Sequence, residues 1–548
     1  MPDRLHLFTI PPHRAFADAL ADGLIARFGG DALGLARGTV LVPNNRAKRA
    51  IQDAFVRASG GGLLLPRLVA VGDPELDEAV FEAVEDSEPV PPAVDPLQRR
   101  MILARLIQES GAPVDAAEAV RLAGELAATL DQLLIEEVEP KRLATLDLGE
   151  LTTHWERSLT QFKVILEHWP VALERMGRVD LAERRTRLLA KVARRWRDAP
   201  PPGFVCAAGI TASAPAIARL LRVVAGMSRG MVVLPGLSTG IGEEEWASLG
   251  PHAPDASGRR KRAMETHPQF QLKLLLERMG VNRSEFSIWR GKSEHDAAPA
   301  RSKAIETAMA PPELTKEWSA LPVSARRLDG VRVLEAATPA EEAQGIALAL
   351  RQMLETEGKT AALVTPDRAL ARRVVAHLAR WGISIDDSAG QALSVLPPGT
   401  LLLALAEAAA QDFAPLALLS LLKHPLVQPG TRLEWLEGAR LLDRALRGPR
   451  PAPGLAGIDR HLTEQDGRDG GLRRAAQAWW IEARPLLEPI EAVFAAGPQP
   501  LPTMLAALRE AAQALGGDGL WSRAEGRTAV SSISVRSSGA RLAGSAVR

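Results

Sequence analysis

Tyrosine is missing from this chain altogether, although it carries 11 Trp and 11 Phe. That excludes any mechanism built on a tyrosine nucleophile and any nuclease motif of the form Gln-x-x-x-Tyr. Cysteine is almost as scarce. Cys206 stands alone, which excludes a disulfide framework, a Cys-rich zinc site and a four-cysteine iron–sulfur cluster within the chain. No apolar run reaches the roughly 20 residues needed to cross a bilayer. The start, MPDRLHLFTI, lacks the basic-then-apolar pattern of a secretory signal, so a cytoplasmic protein without a membrane partner is expected. An excess of one charge is lacking too: 67 Lys+Arg stand against 66 Asp+Glu, a net charge of +1. Any surface for a polyanion must therefore be local.

What is present is apolar content for large cores, 46% over 548 residues, enough for two to four domains. From residue 5 to about 94, short strand-like runs (LHLFTI, GTVLVP, LLLPRLVAVGD) alternate with amphipathic helices over 13–28 and 46–57. Alternation of that kind predicts a parallel sheet covered on both faces. Four helices follow, over 99–108, 116–136, 152–166 and 181–197, and read as an inserted subdomain spanning 95–200. The α/β pattern resumes with GFVCAAG, a helix over 215–224 and GMVVLPG, completing a first domain at 201–325; 251–262 and 296–301 read as loops. A second α/β domain is expected over 326–396, with strands in GVRVLEA, TAALVTPD and GISIDD. Its first helix carries Thr338 as cap, Pro339 in the first turn and Glu341 closing a capping box. A helical region over 397–520 and a tail over 521–548 complete the chain. The tail, acid-free after Glu525 and rich in Ser, Arg, Ala and Gly, is expected to be disordered, with truncation or a shifted reading frame as the hypothesis for its origin.

The stretch LHLFTIPPHRAFADAL has the strand–turn–helix outline of a phosphate loop. Such a loop needs glycines, so that backbone N–H groups can wrap the phosphates, and a Lys-Ser/Thr pair for charge and magnesium. Here the turn is Pro11, Pro12, His13 and Arg14. The prolines remove two donors, and His13 and Arg14 could meet an anion without rebuilding the cradle. Asp73, the acid after the next apolar strand, reads better as a helix cap than as a metal ligand. No ATP hydrolysis is expected here. The 10 His include no zinc arrangement with a credible third ligand, GMSRG lacks the strand-then-helix context of a nucleophile elbow, and Cys206 lies in an apolar strand. No catalytic residue, metal site or cofactor is assigned.

Two segments more than 300 residues apart share a plan. TVLVPNNRAKRAIQDAF and AALVTPDRALARRVVAHL each run strand, Pro, Asn or Asp, Arg-Ala, then basic helix. A polar turn at a strand's carboxyl end, followed by a helix start, suits an anion. Arg46, Lys48 and Arg49 line the first helix start, and Arg368, Arg372 and Arg373 the second. A capped helix with a solvated basic face is the plainer reading of either one. A third basic element, LAERRTRLLAKVARRWRDA, places Arg184, Arg187 and Arg194 mostly off its apolar face, to contact DNA phosphates or simply to face solvent.

The order of segments resembles a family. LHLFTIPPHRAFADALADGLIARFGGD, VLVPNNRAKRAIQDAFVRASGG, GFVCAAGITASAPAIARLLRVVA, HPQFQLKLLLERMGV, EAATPAEEAQGIALALR, LVTPDRALARRVVAHLARWGI, DDSAGQALS and LLKHPL are together similar to the N-terminal part of the AddB subunits of bacterial AddAB helicase–nucleases, in their alphaproteobacterial form. The resemblance implies an α/β protein with two RecA-like (superfamily-one helicase-like) parallel-sheet domains and inserted helical subdomains, whose ATPase site has decayed. It implies a catalytically inactive DNA-binding subunit of a recombination complex for double-strand-break repair, with AddA as the motor partner and single-stranded or forked DNA as ligand. By position, Asn44, Asn45 and Arg46 correspond to the family's single-strand loop, and Thr365, Asp367 and Arg368 to the matching turn. The family's nuclease domain and its iron–sulfur cluster have no counterpart in this sequence. Two other expectations stand beside this one: a two-domain sugar-nucleotide transferase, for which DDSAG is a poor ribose-binding loop, and a truncated fragment without function.

Overall fold

The computed structural model describes residues 5–31, 33–60, 62–71, 89–110, 114–139, 166–291, 293, 295–326, 330–464 and 470–521. The chain divides into two compact units, Met1–Arg332 and Val333–Arg548. Each is described by itself.

The first unit is built on one sheet of six strands: β1 (Leu7–Ile10), β2 (Thr39–Val42), β3 (Arg67–Ala70), β4 (Val205–Ala208), β5 (Gly230–Pro235) and β6 (Ser287–Ile288). They lie in the order β3-β2-β4-β5-β1-β6, and every pairing is parallel. Side chains of a strand alternate between faces, so each strand feeds two cores. Val40, Val42, Cys206, Ala208, Met231 and Val233 point into one core. Leu41, Val205, Ala207, Val232 and Leu234 point into the other. That double burial is why the strands read as continuous apolar runs. Burial pushes the Cys206 thiol up to about 12, so it is the inert core residue its strand context implied.

Helices α1 (Phe16–Phe28) and α2 (Asn45–Ser59) cover the first face through Leu20, Leu24, Ile51 and Phe55. Helices α3 (Pro96–Glu109) and α4 (Ala116–Ile135), with the helical residues 166–176, form a separate small core around Leu103, Leu130 and Trp169. Most of the helix expected over 152–166, the loop acid Asp73 and almost all of the tail over 521–548 fall outside the described residues. Helix α5 (Leu181–Asp198) departs from the expected insertion. Its Leu189, Val192 and Trp196 join the second sheet core, beside α6 (Pro215–Gly226) and Leu272, Leu275 and Leu276 of a later helix. A short α7 (Glu243–Ser248), that later helix α8 (Phe270–Met279) and α9 (Ala300–Ala308) complete the unit. Helix α9 starts inside the 296–301 stretch expected to be loop.

Trp289 closes the first core after β6. It is 1% exposed, donates its indole N–H to the Ala19 carbonyl at 2.8 Å and meets Phe8 edge-on, with ring centroids 5.2 Å apart. Gly23 makes room for it. A Cβ there would stand 2.3 Å from the indole nitrogen, so a residue that ordinarily weakens a helix interior is what lets this ring reach α1.

The second unit corrects an expectation. Residues 331–336 and 361–365, read as strands, and 383–387 form no ladder, and no second sheet exists among the described residues. A strand is stable only when its backbone groups find neighbours and its apolar side chains find cover. Helices α10 (Pro339–Leu354) and α11 (Arg368–Ala379) bury Ala343, Ala347, Val374 and Leu378 in a small core, which leaves Val333 and Val364 both 93% exposed. One parallel sheet is therefore present where two were expected. The remaining helices, α12 (Pro397–Ala410), α13 (Pro415–Leu422), α14 (Arg432–Ala445), α15 (Leu455–Thr463), α16 (Gly470–Ala483), α17 (Glu488–Ala495) and α18 (Leu501–Gly516), share a core around Leu405, Leu418, Leu442, Ile458 and Trp480.

Candidate nucleic-acid interface

Parallel α/β sheets bind ligands outside the carboxyl ends of their strands, where neighbouring strands send their helices to opposite faces. Strand β1 leads to α1 on one face, and its neighbour β5 leads through α7 to α8 on the other. A phosphate loop would sit at the start of α1 in this crevice, and there the chain places its own atoms. Helix α1 has no side-chain cap from its own Ala15. Instead the Asp296 carboxylate, 281 residues away, accepts the Ala15 N–H at 3.0 Å. It also accepts the Ser293 N–H at 3.2 Å and the Arg14 Nε–H at 3.2 Å. Arg14 further donates to the Trp289 carbonyl at 2.6 Å, and His13 meets the Ser302 hydroxyl through both its backbone N–H, at 3.1 Å, and Nδ1, at 2.8 Å. Burial acts to raise the Asp296 pKa, but the two backbone N–H groups and the Arg14 guanidinium outweigh it and hold the carboxyl below its ordinary value. An internal anion occupies the helix start that a phosphate would need. Arg14 does meet an anion, and it belongs to this chain, whereas His13 meets the neutral Ser302 hydroxyl.

The loop after β2 is arranged differently. Asn44 caps α2 by accepting the Ala47 N–H at 2.8 Å, which commits its side chain to the helix. Asn45, Arg46 and Arg49 are exposed and Lys48 half-buried. Among the described residues no carboxylate comes within ion-pair distance of Lys48 or Arg49, whereas Arg57, three turns along, is held by Asp18 at 2.6 Å. The positive charge of α2 is thus concentrated at the amino end, beside the carboxyl edge of the sheet.

The other candidates are not brought to this place. Helix α5 lies on the opposite face of the sheet from α2. Its Arg184 is buried, Arg187 is ion-paired with Glu183 one turn away, and Arg194 is exposed. In the second unit, Thr365 Oγ1 accepts the Asp367 N–H at 3.0 Å and Asp367 caps α11 by accepting the Ala369 N–H at 2.7 Å. The backbone N–H groups of Leu370 and Ala369 hold Asp367 below its usual pKa. Arg368 forms a two-pronged pair with Asp387, at 3.1 and 2.5 Å, and that hydrogen-bonded carboxylate raises the arginine further. Arg372 stays exposed. The two echoing segments therefore share a cap and a basic helix but differ in the strand: paired in the first, unpaired in the second.

Residues that sequence reasoning passed over line a cavity of about 480 Å³ at the carboxyl ends of β1, β4 and β5. Its polar wall includes Glu245, Glu306, His267, Gln269 and Gln271. Burial lowers the His267 pKa, and the Met309 carbonyl beside the ring opposes this. In the second unit burial, with Arg432 adding to it, lowers His424 as well. Because both folded values lie below the ordinary 6.5, the unfolded chain takes up protons that the folded chain refuses. Stability from these two groups is fully present above pH 6.5 and declines as pH falls through it. The urea midpoint should drop between pH 7.5 and 5.5, and less so in the His267→Gln/His424→Gln double variant. An equal drop in both proteins would rule these histidines out as the cause.

No protein-family model and no curated protein matches this chain.

Proposed function

We propose that this protein is a DNA-binding subunit with a helicase-like body and no nucleotide hydrolysis of its own, acting within a complex that repairs double-strand breaks by recombination. Its ligand would be single-stranded or forked DNA, and its partner a separate ATP-driven subunit of the AddA kind. The observation that carries this reading is the contrast between two loops of one sheet edge. After β1, where a motor would hold its triphosphate, Asp296 caps α1 and ties down Arg14. After β2, Lys48 and Arg49 stand at a helix start with no carboxylate in ion-pair reach among the described residues, beside the exposed Arg46. A surface of this type contacts phosphates without reading bases, which suits a subunit that holds a strand whatever its sequence.

The test is binding of a fluorescein-labelled DNA fork to the isolated chain across a salt series. Three phosphate contacts predict a slope of log K against log salt of about −2 to −3, together with no ATP turnover. A salt-independent affinity, or measurable ATP hydrolysis abolished by mutating Arg14, would contradict the reading. The sugar-nucleotide alternative draws no support from the DDSAG loop, since Asp387 is engaged by Arg368.

A further inference from the structure

We propose that the turn Arg259–Arg262 is a second phosphate-contact surface, which carries one arm of a DNA fork across the carboxyl edge of the sheet from the start of α2. This rests on the DNA-binding function proposed for the protein. Arg259, Arg260, Lys261 and Arg262 are consecutive and all exposed. Among the described residues no carboxylate comes within ion-pair distance of any of them. Other exposed arginines of this unit are neutralised: Arg121 by Glu118 and Glu125, Arg187 by Glu183 and Arg219 by Glu137. In a chain of net charge +1, four adjacent unpaired cations repel one another and draw a dense polyanion to one place. A duplex, with one charge per about 1.7 Å of its axis, is such a polyanion.

Asp255, an acid close by in the chain, is spent on the turn itself. Its Oδ1 accepts the Ser257 N–H at 2.8 Å, the Ser257 hydroxyl at 2.6 Å and the Arg259 N–H at 3.0 Å. The Ser257 hydroxyl foremost, with those two N–H groups, holds the Asp255 carboxyl below its ordinary pKa. The Asp255 N–H donates to the Arg259 carbonyl at 2.8 Å, and the Gly258 N–H to the Asp255 carbonyl at 2.9 Å. Gly258 stands at φ +80°, where a side chain would be strained. An antiparallel bridge joins Pro254 to Arg260. The backbone under the cations is thus ordered before a ligand arrives, which lowers the cost of binding.

The turn also stands at the right edge. It precedes α8, whose start is pinned just beyond β5: Gln269 Nε2 donates to the Gly236 carbonyl at 2.9 Å, and Gln269 Oε1 accepts the Ser238 N–H at 2.9 Å. The Met264 N–H donates to the Leu249 carbonyl at 2.9 Å and closes the base of the loop. Strands β2 and β5 flank β4, so their carboxyl ends lie about 10 Å apart, two strand spacings. Helix α2, with Lys48 and Arg49 at its start, covers one face of the sheet, and α8 covers the other. DNA resting across the end of β4 therefore meets cations from both sides of one edge.

Anisotropy of a fluorescein-labelled fork with the full-length protein, across a salt series, separates the two surfaces. Three contacts at α2 alone give a slope of about −2 to −3, and four more should steepen it to about −5 to −6. Replacing the run by Arg259→Gln, Arg260→Gln, Lys261→Gln and Arg262→Gln should return the slope to that of α2 alone. Binding at low salt should weaken by at least about tenfold, with the urea midpoint unchanged because all four side chains are exposed. The conservative variant Arg259→Lys/Arg260→Lys/Arg262→Lys should keep the steep slope. A native slope no steeper than α2 alone explains, or a glutamine variant with native slope and affinity, would overturn this inference and leave the DNA-binding function standing. No salt-dependent binding by any of the proteins would overturn both. If labelled poly-glutamate of matched charge binds as tightly as the fork and loses as much in the glutamine variant, the turn docks an acidic polypeptide and the assignment to DNA fails.

Discussion

Replacing Trp289 by alanine should lower the unfolding free energy by about 3–5 kcal/mol, the range for truncating a large, fully buried aromatic side chain. The ring is almost wholly enclosed, at 1% exposure. It packs edge-on against Phe8, lies under the Arg27 guanidinium at 4.0 Å from the ring centroid and satisfies the Ala19 carbonyl. Truncation removes all of these together and leaves a void that α1 cannot fill, because Gly23 offers no side chain. Phenylalanine at the same position should cost less, chiefly the missing hydrogen bond of about 0.5–1.5 kcal/mol and some packing. Equilibrium urea unfolding of both variants gives the comparison. If Trp289→Ala stays within about 1 kcal/mol of the native protein, then this ring does not anchor β6 to α1. The same residue connects stability to the site. Its carbonyl holds Arg14 at 2.6 Å, so loss of the anchor should also release the turn that Asp296 and Arg14 close.

Reversing three charges at the start of α2, with Arg46→Glu, Lys48→Glu and Arg49→Glu, should reduce affinity for forked DNA by about 10²–10³-fold, since each charge-assisted phosphate contact is worth roughly 1.5–3 kcal/mol when fully formed and exposed ones fall below that range. The salt slope should flatten by about one for each phosphate no longer neutralised. Stability should change little, because Arg46 and Arg49 are exposed and the face of α2 that packs is made by Ile51, Ala54 and Phe55. The matched control reverses Arg184, Arg187 and Arg194 on α5. Arg184 is buried and Arg187 is neutralised by Glu183, so that control should lose stability more than affinity. Fluorescence anisotropy with one labelled fork measures both proteins. If the α5 variant, still folded, loses the greater affinity, the DNA surface lies on the other face of the sheet.

Local physics was readable from the residues before any fold was known. The paired prolines at 11 and 12 remove backbone donors wherever they stand, so the absence of a phosphate cradle followed directly. The β-branched runs of β2 and β5 and the Asn44 cap of α2 follow from side-chain alternation and from one hydrogen bond three residues long. Thr338 likewise accepts the Glu341 N–H at 3.2 Å, while the Glu341 carboxylate reaches back to the Ala337 N–H rather than to that of Thr338. Each of these depends on neighbours in the chain, and the sequence states its neighbours.

Other features depend on which distant segments meet, and the residues alone carried no signal for them. Nothing near Asp296 marks it as the cap of a helix 281 residues earlier, and nothing near His267 or Glu306 marks them as facing one cavity. Conversely, GVRVLEA and AALVTP have the composition of strands, yet composition cannot supply the partners a strand requires, and Val333 and Val364 remain outside any sheet. The sequence by itself determined strands β1 to β5, the Asn44 cap of α2 and the lack of glycine in the turn after β1, because backbone donors, side-chain alternation and capping act over a few residues. Only the tertiary structure decided what caps α1, which basic side chains stay exposed and whether a second sheet forms among the described residues, because these depend on long-range pairing that backbone pattern permits without specifying.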